Sequence, residues 1–359
     1  MKRILLIFLL QVSLVAFSQD NPAEKELMNC ETLLKDAQVL FDAGNYDQVF
    51  STLEEGLRSC NFSKAMKERA VILMIQAQIE KENETATDSL VYRLLKSNPN
   101  YRLTDPDVVS RYNTAIKKYY VRPAFIVGIQ GGFTLPFSHI QTVYSILDGA
   151  DYTKKYTSQF GITTGLHFEW QFMPRLSICA DPSFSRVSYK RTITGEREYN
   201  LQFSEVMSNY DGALILKYSF PVHRFLFSVA GGYSMTSIRS ASADVELSYT
   251  AYNSITGNYD PYRQASNKIN LMADKLRQTS ISSPVIGLGT AYRIDNFIFS
   301  VDARYLYCKT NMVNPDQRYA NSELVFDYYY IDNDFDINRL EIKGGISYIL
   351  AYRISKKSK

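Results

Sequence analysis

The feature that most constrains this sequence is a period of two. Beyond Pro123, apolar residues alternate with polar or small ones over long runs. In the clearest run, Phe160, Ile162, Thr164, Leu166, Phe168, Trp170 and Phe172 share one face, and Gly161, Thr163, Gly165, His167, Glu169 and Gln171 share the other. A second run sets Phe297, Phe299, Val301, Ala303, Tyr305 and Tyr307 against Ile298, Ser300, Asp302, Arg304, Leu306 and Cys308. The last sets Leu340, Ile342, Ile346, Tyr348, Leu350 and Tyr352 against Glu341, Lys343, Gly345 and Ser347. Successive side chains of a strand point to opposite faces, so each run predicts a two-faced strand. Strands of soluble sheets are shorter, about 5–6 residues. A tilted bilayer crossing takes about 9–11 residues plus its rims. Eight strands are predicted, over 122–136, 158–172, 175–190, 207–220, 223–238, 281–293, 296–312 and 338–353.

The connections alternate in length. Met173-Pro174, Pro221-Val222 and Asp295-Asn296 read as tight turns, whereas 137–157, 191–206, 239–280 and 313–337 read as long polar loops. Membrane barrels show this asymmetry, with short turns on the periplasmic side and long loops outside. An even strand number returns both barrel ends to the short-turn side. The C-terminal run Lys343-x-Gly345-x-x-Tyr348-x-Leu350 resembles the signal by which outer-membrane barrels are recognised for assembly, with Leu350 where an aromatic is usual. The 122–353 region as a whole resembles small outer-membrane barrels of the OmpA/OmpX and PorT-like kind.

Residues 24–118 carry a helical period instead. Leu33, Leu34, Ala37, Leu40 and Phe41 precede a break at Gly44-Asn45, and Val49, Phe50, Leu53 and Leu57 follow it. Further helices are expected over 64–81 and 87–96, and a last short one from Asp105-Pro106-Asp107. The spacing Ala37-x-x-Leu40-Phe41-x-x-Gly44-x-Tyr46-x-x-Val49-x-x-x-Leu53-x-x-Gly56 resembles a tetratricopeptide repeat. Ala70, Ala77, Ala86, Leu90, Leu94 and Pro99 form a poorer second unit. That resemblance implies a small module whose concave face binds peptides or proteins; the plainer alternative is that these positions are simply core. Cys30 and Cys60 fall at neighbouring ends of the first two helices, so a disulfide is geometrically open to them, with two buried free thiols as the alternative.

The N-terminus reads as an address. Lys2 and Arg3 precede an apolar stretch ending in Ala16-Phe17-Ser18, which predicts a secretory signal cleaved before Gln19. The mature chain is then expected outside the cytoplasm, where disulfides form. Forty basic against 37 acidic residues give a net charge of +3, too small for the dense basic surface of a nucleic-acid binder. The expected architecture is α+β and multidomain: a signal peptide over 1–18, a periplasmic all-α TPR-like module over 19–120, and an eight-stranded antiparallel transmembrane β-barrel over 121–355.

Eight strands enclose a lumen that side chains just fill. The charges expected inside are His167, Glu169, Asp181, Lys217, Arg224, Arg293, Asp302, Arg304, Glu341 and Lys343. Mixed signs favour a salt-bridged plug over an ion- or proton-conducting path. Cys179 and Cys308 should both face inward at opposite heights, unbridged. No zinc-protease, paired CxxC, phosphate-loop or GxSxG motif is present, so no catalytic, cofactor-binding or metal residue is assigned. Ser138-His139 at the outer rim is the one catalytic option, and sequence supplies no carboxylate for it. The acidic run from Asp327 to Asp336 lacks ordered calcium-loop spacing and reads as solvated. The tyrosines of 249–262 and 328–330 read as contact surface or interfacial girdle.

These readings imply a non-enzymatic outer-membrane anchor or accessory subunit of a secretion, assembly or motility machine. Its periplasmic helices would bind a protein partner. Its barrel would contact outer-membrane lipid or lipopolysaccharide, and its loops a membrane or surface component. A transporter, which needs more strands, and a rim lipid-modifying enzyme using His139 are the alternatives.

Overall fold

A computed structural model describes residues 22–101, 110–146 and 152–357. The expected signal peptide and the start of the short helix at Asp105-Pro106 lie outside the described residues. The chain divides into two compact units: 1–121 with 354–359, and 122–353.

The first unit is helical. Helices α1 (Pro22–Asp42), α2 (Tyr46–Ser59), α3 (Lys64–Glu80) and α4 (Glu84–Ser97) pack in succession, with α1 also against α3, and α5 (Ser110–Lys117) packs on α3 and α4. The boundaries follow local chemistry. Gly44, at φ +78°, takes the left-handed turn that ends α1. Ser63 Oγ accepts the Met66 amide at 3.3 Å to start α3, and Asn83 Oδ1 accepts the Ala86 amide at 3.2 Å to start α4. Ala37, Val49, Leu53, Ala70, Met74, Leu90 and Leu94 form the core, against which Phe41 and Tyr46 pack. A disulfide joins Cys30 and Cys60, with Cα atoms 5.9 Å apart, and Phe62 and Met66 pack beside it. Among the described residues no helix is long and apolar enough to cross a membrane.

The second unit is a closed sheet. Its strands are β1 (Tyr119–Thr142), β2 (Thr153–Trp170), β3 (Leu176–Thr194), β4 (Asn200–Val222), β5 (Phe225–Asn253), β6 (Asn258–Asn270), β7 (Ser280–Ile294), β8 (Phe297–Leu306) and β9 (Asp334–Lys356). The first and last strands of the run are neighbours. The ring is β1-β2-β3-β4-β5-β7-β8-β9, an eight-stranded barrel. The ninth strand arises because β5 changes partners. Its first half pairs with β7 from Phe225 to Ser237, and its second half pairs with β6 from Ser242 to Asn253.

Three expectations about connections change. The turn between β4 and β5 is His223-Arg224, because Pro221 and Val222 still pair with Leu226 and Phe225. His223 adopts φ +56° there, as does Asp295 at +50° in the β7–β8 turn. The 191–206 loop is mostly strand, closed by a short turn near Gly195–Tyr199, and 239–280 holds the β5–β6 hairpin. Polar composition misread these segments as loops, although a strand in water is polar on its outer face.

The barrel has two levels of opposite polarity. In the lower half, outward positions are apolar and exposed: Phe125, Ile129 and Phe133 on β1, Phe160 to Trp170 on β2, Leu214 and Leu216 on β4, Val229 on β5, Leu288 on β7, Val301 on β8, Ile342 and Ile346 on β9. Phe160 stands 78% exposed. A belt of this extent is tolerable only against lipid. Aromatic rings border it on both sides: Phe125 with Trp170, Phe225 with Tyr292 and Phe297 with Tyr348 below, Phe184 with Tyr210 above. In the upper half the outward positions of β3 to β5 are mostly polar, and the inward ones mostly apolar, with Arg191 and Glu205 among them.

Reduction tests the staple. Cys30→Ser with Cys60→Ser should destabilise the helical unit by about 2–4 kcal/mol, read as an earlier thermal loss of helical circular dichroism. The heat-dependent gel mobility of the barrel should not change.

Candidate functional site

The barrel interior is the richest side-chain constellation of the chain. On β2, period two brings His167 and Glu169 inward while Phe168 and Trp170 face out. His167 Nδ1 lies 2.7 Å from Asp181 Oδ1 on β3, and its Nε2 lies 3.3 Å from Glu169 Oε2. Lys217 on β4 pairs with the same Glu169, and Arg304 on β8 with Asp181. On β9, Lys343 Nζ pairs with Glu341 Oε2 at 2.7 Å. Seven of the ten charges expected inside thus meet in direct pairs. Asp302 lies inside, opposite Lys343 in the β8–β9 register, but pairs with no cation among the described residues. Its carboxylate fills the space a Cβ would take at Gly289, which accounts for that glycine. Arg293 departs from the network. It lies by the short β7–β8 turn, where Nε donates to the Asp295 carbonyl at 2.9 Å and Nη2 to Tyr352 Oη at 3.0 Å. Arg224 is in the turn before β5, outside the lumen.

A second layer lies above the first. Arg339 Nη2 donates to Asp211 Oδ1 at 2.7 Å, and the same carboxylate accepts from Ser185 and Thr236. Arg339 also reaches Glu341 at 3.8 Å. Small cavities lie among these layers. One, of about 20 Å³, is lined by Asn209, Thr236, Arg339 and apolar neighbours, and one of about 10 Å³ is lined by Ser183, Ser234, Glu341 and Lys343. Each is of the size of a single water, and the uncommitted Asn209 Oδ1 and Ser234 Oγ supply polar partners for one.

Above these layers the lumen is filled by apolar side chains. Val187 and Tyr189 of β3, Leu201, Phe203 and Met207 of β4, and Ile238, Val245 and Leu247 of β5 pack against Met312, Leu324, Tyr328, Tyr330 and Phe335. The β8–β9 connection therefore folds down into the barrel mouth. Phe203 and Tyr330 stack with centroids 4.2 Å apart. At the centre lies Arg277, fully buried. Its Nε and Nη2 bind Glu205 at 2.8 and 2.6 Å, and its Nη1 binds Asp332 at 2.7 Å. Tyr189 Oη donates to Glu205 at 2.6 Å, and Tyr330 Oη to Asp332 at 2.7 Å. Arg191 holds the Ile331 carbonyl at 2.9 Å, and Arg318 pairs with Asp334.

Sequence reasoning missed this centre. The acidic run was expected to be solvated, yet Asp332 and Asp336 are buried. The Tyr328–Tyr330 run, expected as contact surface or interfacial girdle, has two of its three rings in the core. The residues that neutralise the carboxylates, Arg277 and Arg318, lie in the supposed loops. The available signal was Glu205, an acid in a strand position flanked by Phe203 and Met207 on the same face.

Other assigned residues separate. Cys179 is buried in the lower lumen, and Cys308 borders the upper apolar cluster. His167, Glu169 and Cys179 bring one ligand atom each within 4.8 Å. The Lys217 ammonium already occupies Glu169, so a divalent cation would meet a neutralised site. In the proposed assembly signal, Tyr348 and Leu350 face out, Lys343 is committed to Glu341, and Gly345 is half-buried. His139 does have a carboxylate: Nδ1 lies 3.3 Å from Asp336 Oδ2, which also accepts Gln141 Nε2 at 3.1 Å. Among the described residues no hydroxyl is hydrogen-bonded to His139.

No family model matches the sequence, and no curated protein does. Solved structures do. The Pseudomonas aeruginosa outer membrane protein OprG is similar at 12% identity and TM-score 0.36, covering 63% of this chain and 96% of that one. Neisserial surface protein A matches at 12% and 0.30, covering 63% and 97%. The Yersinia pestis attachment protein Ail, solved with a heparin analogue, matches at 11% and 0.26, covering 63% and 99%. The fold, from its own strand order and outer belt, is a closed eight-stranded antiparallel β-barrel with an apolar band around it. In this barrel both the lipid-level lumen and the mouth are closed by paired charge and packed rings.

Asp332 sets the pH response of the mouth. Burial pushes its carboxyl up, but the Arg277 guanidinium and the Tyr330 hydroxyl outweigh burial and hold it below the usual range. A carboxyl lowered in the folded state adds stability above its unfolded value, about 3.9, and that stability is lost as pH falls through the folded value. Protease resistance of residues 307–333 should be level from about pH 8 to about pH 5 and fall only in stronger acid. Arg277→Ala strands two buried carboxylates, at a cost of about 3–5 kcal/mol. Limited proteolysis should then cut within 307–333 at neutral pH, while the barrel keeps its heat-dependent mobility.

Proposed function

We propose that this chain is a non-enzymatic outer-membrane anchor, or accessory subunit, of an envelope complex, with its helical unit in the periplasm engaging a protein partner. The observation that carries this reading is the sealed lumen. Below, Lys217, Glu169, His167, Asp181 and Arg304 saturate one another. Above, Arg339 with Asp211 follows, and then an apolar packing that encloses Arg277 and its two carboxylates. Solute has no passage, and a proton relay would have to cross the apolar layer. A barrel of this kind serves best to hold something in place.

Orientation follows from the strand ends. Arg122 and Arg353, where the chain enters and leaves the barrel unit, lie at the end of the short turns Gln171–Arg175, His223-Arg224 and Asp295-Asn296. Short turns face the periplasm in such barrels, which supports the reading of a periplasmic helical unit and an external β5–β6 hairpin. The transporter alternative needs more strands than the eight in the ring. The rim-enzyme alternative gains its carboxylate in Asp336, but among the described residues no serine hydroxyl is hydrogen-bonded to His139.

Three measurements test this reading. Ile255, at the exposed hairpin tip, replaced by Cys should label on intact cells, and Val39→Cys only after the outer membrane is permeabilised. Crosslinking in cells followed by mild-detergent purification should recover a stoichiometric protein attached through the helical unit. Planar bilayers should show no large unitary conductance. An open channel, or a solitary monomer without crosslinks, contradicts the reading.

A further inference from the structure

The upper border of the lipid belt carries a feature that the sealed lumen does not use. On β3 the outward apolar series Ala180, Pro182 and Phe184 ends at Arg186, which is exposed. Arg186 pairs in register with Ser208 of β4. On the far side of Ser208, the β4–β5 register slips: Ser208 opposes Ser240 and Asn209 opposes Ile238, leaving Arg239 as the extra residue of a bulge. The bulge turns Arg239 and Ser240 outward together, and both are exposed. Two strand spacings therefore separate the Arg186 and Arg239 backbones, about 9–10 Å.

Directly below them lies the aromatic border. Phe184 and Tyr210 meet edge to face at 5.9 Å, and the Arg239 guanidinium stands 5.2 Å over the Tyr210 ring. No carboxylate pairs with Arg186 or Arg239 among the described residues. The charges further up are committed: Glu246 to Arg263, Asp244 to the Lys268 amide, and Lys190 to Gln202. Two free guanidiniums thus flank a serine at the level where acyl chains give way to headgroups.

We propose that Arg186 and Arg239, with Ser208 between them, form a binding site for the phosphate of an outer-leaflet glycolipid of the lipid A type. Guanidinium forks match phosphate oxygens in pairs, and the Phe184–Tyr210 floor takes the first methylenes of the acyl chains. The upper border is the outer leaflet under the orientation proposed above, and the assignment of this lipid rests on that reading. The chemistry of the site does not.

The test uses full-length protein in nanodiscs doped with bis-phosphorylated lipid A, with lipid A lacking phosphate, or with phosphatidylglycerol. Native mass spectrometry counts the lipid released with the protein. Unaltered protein should retain bis-phosphorylated lipid A at least tenfold better than the phosphate-free form. Arg186→Ala with Arg239→Ala should lose that preference, and Arg186→Lys with Arg239→Lys should keep part of it. Arg353→Ala, at the opposite border, should behave as unaltered protein. Heat-dependent gel mobility checks that each variant has folded. Equal retention by the double alanine variant overturns the site, as does equal loss in Arg353→Ala. Retention of phosphatidylglycerol equal to that of lipid A overturns the glycolipid assignment. Cysteine labelling of Ile255→Cys on intact cells decides the orientation independently.

Discussion

The structure depends on a single inversion of polarity along three strands. On β3, outward Ala180, Pro182 and Phe184 are apolar and inward Asp181, Ser183 and Ser185 are polar. Three residues later Val187, Tyr189 and Ile193 are apolar and inward, and Lys190 and Thr192 face out. β4 does the same at Tyr210 and Met207, and β5 at Met235 and Ile238. A strand cannot have both faces satisfied by one solvent, and the inversion marks where the solvent changes. Below it the hydrophobic effect acts between barrel and lipid, and the lumen must satisfy its own polar groups. Above it the barrel is an ordinary globular protein, apolar inside and wet outside.

Two ways of filling a narrow tube follow. In lipid, an interior of hydroxyls and ion pairs stays closed because its charges, Asp302 apart, are paired. Removing one member of a pair there leaves a charge with no water to turn to. In water, the tube would stand open were nothing put into it. The β8–β9 connection fills it, bringing Tyr328, Tyr330 and Phe335 as packing and Asp332 as a tether. Arg277 fixes this plug from the β6–β7 side, so a segment supplied by one edge of the barrel is locked by a residue supplied from another.

The barrel was legible in the sequence because its lower half obeys one rhythm over many residues. Phe160 to Trp170 and Phe297 to Tyr307 identify face and length at once, and the eight strands of the ring follow from them. The upper half obeys the same rhythm in the opposite phase, in Val187-x-Tyr189 and Leu201-x-Phe203. Read against a lipid-facing expectation, those segments look like polar loop. The lumen pairs were legible as a set, since parity alone places His167, Glu169, Asp181 and Lys217 inside. Their partners were not, because which wall faces which depends on barrel closure. The Arg277 centre was hidden for a further reason. Glu205, Arg277 and Asp332 are 72 and 55 residues apart, and two of them come from segments without period.

The inversion also divides the outer surface between lipid and water within single strands. At the boundary the outer surface passes from rings to guanidiniums within one strand pair, which is where Arg186 and Arg239 stand. A bulge is the device that makes this possible on β5. Were Arg239 held in strict alternation instead of in the bulge, the inward series Ser234, Thr236 and Ile238 would continue at Ser240 and Ser242. The upper core would then receive hydroxyls where Ala241, Ala243, Val245 and Leu247 now pack, and those apolar side chains would face water. The bulge therefore keeps the register of the water-level core while presenting an extra cation at the headgroup level. Deleting Arg239 would restore unbroken alternation with the same inward faces and remove only the cation.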